Sequence, residues 1–150
     1  MKPLHTIAAA GGAALVVATA WAAFAPIPAP PTRDEVFTIP KGTWARRMAG
    51  DKVEILPNTI RLTLGLNDVL LLQNHDDVPQ TFGPTLMMPG QSFSLPFAVA
   101  SSYAFACTAH ASGQMTIEVE PYPDTPWARL RWRILELLAP RPVAEDETPR

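Results

Sequence analysis

Ser102-Tyr-Ala-Phe-Ala-Cys107-Thr-Ala-His110-Ala-Ser-Gly-Gln-Met115-Thr-Ile-Glu-Val119 reads as two short strands joined by a loop that carries a soft donor set. Ser102 to Ala106 alternates, as a half-buried strand does, and Met115 to Val119 alternates again. Cys107 is the only cysteine in the chain; an imidazole follows three residues on and a thioether five further. Thiolate, imidazole and a weakly held thioether are the donors that a trigonal blue-copper site takes from one loop. A Cys-x-x-His pair alone would be weak. The methionine at this offset, opening a returning strand, makes the pattern specific. The competing reading is a buried thiol, a surface histidine and a core methionine, each common by itself.

The loop resembles that of the cupredoxins, the small blue-copper proteins, and the resemblance spans roughly residues 36–121. It implies an all-β, antiparallel Greek-key sandwich with one copper held by Cys107, His110 and Met115. It also implies a second histidine from an earlier strand end, beside a proline and after an Asn-containing turn. That stretch here is Leu72-Gln-Asn74-His75-Asp-Asp-Val78-Pro79-Gln80-Thr81-Phe82-Gly-Pro84. Counting from Asn74 and Pro79, the matching position holds Gln80, whose amide oxygen is a harder, poorer donor for a thiolate-bound copper. Three outcomes stay open. Copper binds with Gln80 or water in the fourth place, His75 substitutes, or metal binding is lost and the fold serves for docking.

The same resemblance gives Thr81 a polar side chain that ties the ligand loops together, and Asn74 a role in orienting ligands. Local turn bonding is the plainer alternative for both. His110 would be the partly exposed edge through which electrons leave, ringed by an apolar patch of Val78, Pro79, Ala111 and Gly113. Position 80 reads as a solvent-near strand end, so exchanging Gln80 for histidine is expected to cost little stability. Met87 and Met88 offer further thioethers, though filling a core gap is the commoner job. Asp76 and Asp77 lie on the turn and read as solvated. No base is placed to activate Cys107 and no glycine-rich loop cradles phosphate, so the chain is not read as an enzyme.

Short strands with turn punctuation fill the middle of the chain: Val36–Ile39, Lys52–Leu56, Thr59–Leu64, Val69–Gln73 and Ser92–Leu95, with Val69–Gln73 apolar enough to be central. Thr43 to Gly50 reads as irregular. After Pro123 the period changes. Trp127, Leu130, Ile134, Leu137 and Leu138 fall on one helical face and Arg129, Arg133 and Glu136 opposite, with Asp124 or Thr125 as cap and Pro126 at the first helical position. Thirteen or so residues are too few to cross a bilayer, which takes about 20. The helix is expected to lie on a membrane surface, on its own sandwich or on a partner.

The chain has 150 residues, a formal net charge of −2 and 17 prolines, room for one domain with appendages and no basic field for nucleic acid. Ile7 to Ala25 is uncharged and apolar, longer than the roughly 7–15 residues of a secretory core and followed by Pro26, which disfavours cleavage. An uncleaved anchor over 1–25 is therefore favoured over a signal peptide, with a proline-rich stalk over 26–35, the domain over 36–121, and the helix and tail over 122–150. Either way the rest is exported, to the periplasmic face of a bacterial membrane. The expected function is one-electron transfer or copper handling with a redox partner protein or membrane complex. The alternative is a structural subunit that has lost its full copper site.

Overall fold

A computed structural model describes residues 4–52 and 55–138, with side chains from Gly12 onward. The chain divides into two units, one of residues 29–122 and one of the two terminal regions. In the first unit, β1 (Asp34–Ile39), β3 (Val69–Asn74) and β6 (Ser92–Pro96) form one sheet in the order β1-β3-β6. The second sheet joins β2 (Thr59–Thr63), β8 (Gln114–Glu120) and β7 (Ser101–Ala106) in the order β2-β8-β7. A small hairpin, β4 (Gln80–Phe82) with β5 (Thr85–Met87), lies between β3 and β6 in sequence.

Alternation decides which face of each strand is buried. Phe37 and Ile39, Leu70 and Leu72, Ile60 and Leu62, and Met115, Ile117 and Val119 turn into one core shared by both sheets. Each such side chain, fully buried, contributes about 1.5–3 kcal/mol. The expected strand at Val69 is central, flanked on both sides.

Strand direction differs from expectation. β1 runs parallel to β3, with Phe37 beside Leu72, and β2 runs parallel to β8, with Ile60 beside Ile117. Only β3–β6, β4–β5 and β7–β8 are antiparallel, so the sandwich is mixed rather than antiparallel. The reason is connectivity. The chain leaves each of β1 and β2 for the other sheet, so these strands return beside a partner reached by a crossover, which the period-2 pattern cannot register. Lys52–Leu56 is not a strand where it is described: Ile55 and Leu56 form a bend, and Val53 and Glu54 lie outside the described residues. The stretch read as irregular contains a helix, α2 (Thr43–Met48), entered through Gly42 at φ +80°.

Gly83 lets the hairpin approach the second sheet. Its N–H donates to Ala106 O at 2.8 Å, and a Cβ added there would stand 3.0 Å from the Phe105 ring. Its φ of +54° is left-handed, which costs a side-chain-bearing residue about 1–3 kcal/mol. Gly83→Ala is expected to lower the unfolding free energy by that amount, as read from the midpoint of a urea melt.

The second unit pairs α1 (Leu4–Phe24) with α3 (Pro126–Leu138). Thr125 caps α3, its Oγ1 accepting from Ala128 N–H at 3.2 Å. Arg133, expected to face away from the packed side, donates instead to carbonyls at and just past the end of α1, at Ala22, Ala25 and Pro26, with its guanidinium 5.4 Å from the Trp21 ring centre. Those carbonyls lack intrahelical partners, and a cation there also meets the negative end of the helix dipole. The apolar face is left out: Trp127, Ile134, Leu137 and Leu138 are exposed. Among the described residues no helix is long and apolar enough to cross a membrane. The expected helix end at Ala139-Pro140 and the tail over 143–150 lie outside the described residues.

Candidate metal centre

The end of β7 and the start of β8 bring the soft donors to one end of the core. Phe105 pairs with Met115 across the two strands, and Cys107, two residues on, returns to the same face. Cys107 and Met115 are both buried in the core cluster. The loop between them closes on itself. Cys107 N–H donates to Gly113 O at 3.0 Å, His110 N–H to Cys107 O at 3.3 Å, and Gly113 N–H to His110 O at 3.1 Å.

His110 is buried, 3% exposed, and its ring states its own tautomer. Nε2 lies 3.1 Å from Pro57 O, and a carbonyl only accepts, so Nε2 carries the proton. In the neutral ring Nδ1 is then a bare lone pair. Among the described residues it is the one buried side-chain nitrogen or oxygen with no hydrogen-bond partner. An orphan of this kind calls for an explanation, and a role as a metal ligand is one. Lone-pair nitrogen, thiol and thioether are the donor chemistry of copper, so the residues present fit that metal. The expectation that His110 forms a partly exposed edge is corrected: Pro57 covers its Nε2. Pro79, Ala111 and Gly113 of the expected patch are exposed and Val78 half-buried.

Gln80 comes to the same end. Its Oε1 accepts from Thr108 Oγ1 at 2.6 Å, one residue beyond Cys107, and Phe82 bridges to Cys107. It is 1% exposed, so the reading of position 80 as solvent-near is wrong. The turn folds it inward. Asn74 Nδ2 donates to Val78 O and Met87 O, at 3.0 and 2.9 Å, while its Oδ1 accepts from Asp76 N–H. His75 remains exposed on that turn and Met88 is exposed just after β5, while Met87 fills the core. Thr81 does tie the loops, but through its backbone, exchanging bonds with Thr108 at 2.9 and 3.1 Å.

Asp76 is the residue that sequence reasoning missed. Read as solvated, it is 3% exposed, and its carboxylate accepts from Gly42 N–H, Trp44 N–H, Asp77 N–H and Gln80 Nε2, all at 2.8–2.9 Å. Burial pushes its carboxyl up, yet the N–H groups of Trp44, Asp77 and Gly42 and the Gln80 amide outweigh that and hold it below the usual carboxylate range. Asp77 stays exposed beside Lys41. From the other end of α2, Arg47 Nε and Nη2 donate to Ala109 O at 3.3 and 2.9 Å. The helix that sequence left unplaced thus clamps both the Gln80 turn and the ligand loop. Among the described residues no three of His, Cys, Asp and Glu cluster as a harder metal site would need.

No protein-family model matches the sequence, and neither does any curated protein. Among solved structures the chain aligns with a purple cupredoxin from Nitrosopumilus maritimus, at 16% identity and a TM-score of 0.42, over 58% of this chain and 100% of that one. It also aligns with amicyanin from Paracoccus versutus, at 19% identity and 0.41, over 66% and 88%. At such identities and scores the likeness says nothing of ligands or partners, which rest on the residues themselves.

Proposed function

We propose that this cupredoxin-like chain binds a single copper ion through Cys107, His110 and Met115, and serves one-electron transfer or copper handling rather than catalysis. The observation that carries the reading is the buried Nδ1 of His110, a lone pair without a partner on a ring fixed by Pro57. Copper would supply a Cu(II)/Cu(I) couple. The chain supplies a buried donor set, a loop braced by its own backbone bonds, and Arg47 and Thr81 holding that loop in register. Copper analysis and a visible spectrum of the purified full chain test this. One copper per chain is expected, with affinity lowered by at least about tenfold in Cys107→Ser. No copper in the wild type refutes it.

A second reading, a structural subunit of a membrane complex without a metal, is favoured by one observation: the Gln80 amide is already engaged at both ends. The same copper analysis separates the two. We also propose that the terminal helices tether the domain to the exported, periplasmic face of a bacterial membrane, where a redox partner protein or complex meets it. Exposed Leu15, Val16, Val17, Trp21 and Phe24 on α1, and Trp127, Leu137 and Leu138 on α3, support an apolar surround. The full chain is expected to float with anionic vesicles; a chain left in the aqueous fraction removes the tether.

A further inference from the structure

The two polar atoms of the Gln80 amide have their partners before any metal is considered. Asp76 Oδ2 accepts from Trp44 N–H at 2.9 Å, and an ionised carboxylate has only lone pairs to offer, so a donor must face it. Gln80 Nε2 is that donor, at 2.9 Å. Thr108 Oγ1 accepts from Thr81 N–H at 2.9 Å, which turns its own proton toward Gln80 Oε1 at 2.6 Å. The relay has one polarity. Flipping the amide would set Oε1 against the carboxylate and the NH2 group against the hydroxyl proton.

Resting on the copper reading above, we propose that Gln80 is a tie and not a ligand, and that the centre is a three-donor Cys107, His110 and Met115 site that holds Cu(I) in preference to Cu(II). The tie joins the start of α2, through Asp76, to the ligand loop, through Thr108. Two of the three donors are sulfur, the class that selects Cu(I), while the second imidazole that suits Cu(II) is replaced by an amide spent on other bonds. Gln80 therefore supports the fold beside the metal without touching it, and its loss should weaken the protein more than the copper.

The test uses the full chain. Cu(I) is titrated anaerobically against bathocuproine disulfonate, and X-ray absorption of the Cu(I)-loaded chain counts its donors. One Cu(I) is expected, bound by two sulfurs and one nitrogen, while Cu(II) gives no intense charge-transfer band. In Gln80→Leu the melting temperature of the metal-free chain should fall by about 5–15 °C, because the buried Asp76 carboxylate loses a donor while the exposed Thr108 hydroxyl turns to water. Its Cu(I) affinity should stay within about threefold of wild type. A second nitrogen or oxygen donor in wild type that disappears in Gln80→Leu overturns the proposal, and so does an intense blue Cu(II) form of wild type. Should Gln80→Leu not fold, the wild-type donor count and Cu(II) spectrum decide. A chain that takes up neither Cu(I) nor Cu(II) instead refutes the copper reading beneath it.

Discussion

Asp76→Ala is expected to lower the unfolding free energy by about 3–5 kcal/mol, the upper end for a single substitution. Four donors lose one acceptor: the N–H groups of Gly42, Trp44 and Asp77 and the side-chain amide of Gln80. Hydrogen bonds to a charged group are worth about 1.5–3 kcal/mol each, and a buried donor left unmade costs its desolvation besides. The sum is capped because water can enter and α2 can fray. Urea melts measure the loss. A drop under about 1 kcal/mol would show that α2 holds the turn without the carboxylate.

The same carboxylate sets a pH dependence, in company with Asp68 at the other end of β3. Burial raises the Asp68 carboxyl, but its bonds from the Arg33 guanidinium and Gly65 N–H hold it below the usual range. Both groups have folded pKa values depressed below the unfolded value of about 3.9. Their stabilisation is therefore fully present above that value and is lost as pH falls through the folded pKa. Stability is expected to decline below about pH 4, and less steeply in Asp76→Ala, by urea melts across that window. Equal slopes in the two proteins would refute the assignment to Asp76.

Gln80→His is expected to act in two opposite directions. An imidazole has one N–H to give and one lone pair to offer. With the N–H spent on Asp76, the lone pair joins Cys107 and His110 as the second nitrogen of a trigonal plane, and Cu(II) should acquire an intense thiolate charge-transfer band that wild type lacks. Thr108 Oγ1 loses its acceptor, though its exposed hydroxyl can turn to water, so the metal-free variant should be about 0.5–1.5 kcal/mol less stable. Visible spectra and urea melts read the two effects. A colourless Cu(II) form of Gln80→His would show that the ligand loop does not build a copper plane. His75→Ala in the same background is the control, since His75 is exposed on the turn.

The chain by itself determined which residues go inward and which carry donor chemistry. Alternation placed Met115, Ile117 and Val119 in the core because side-chain period is a local property of the pleat. The helical period and Pro126 bounded α3 for the same reason. The Cys107, His110 and Met115 loop was legible because its members are close in sequence. Tertiary structure alone decided strand direction, since a strand of given pattern pairs equally well in either sense until its connections are laid out. It decided the fates of Asp76, Gln80 and Arg47, whose partners lie 28 to 62 residues away for the bonds that matter most. A short polar residue on a turn looks solvated from its neighbours. Only when α2 turns its unpaired N–H groups toward the same spot does a buried carboxylate become the more stable arrangement.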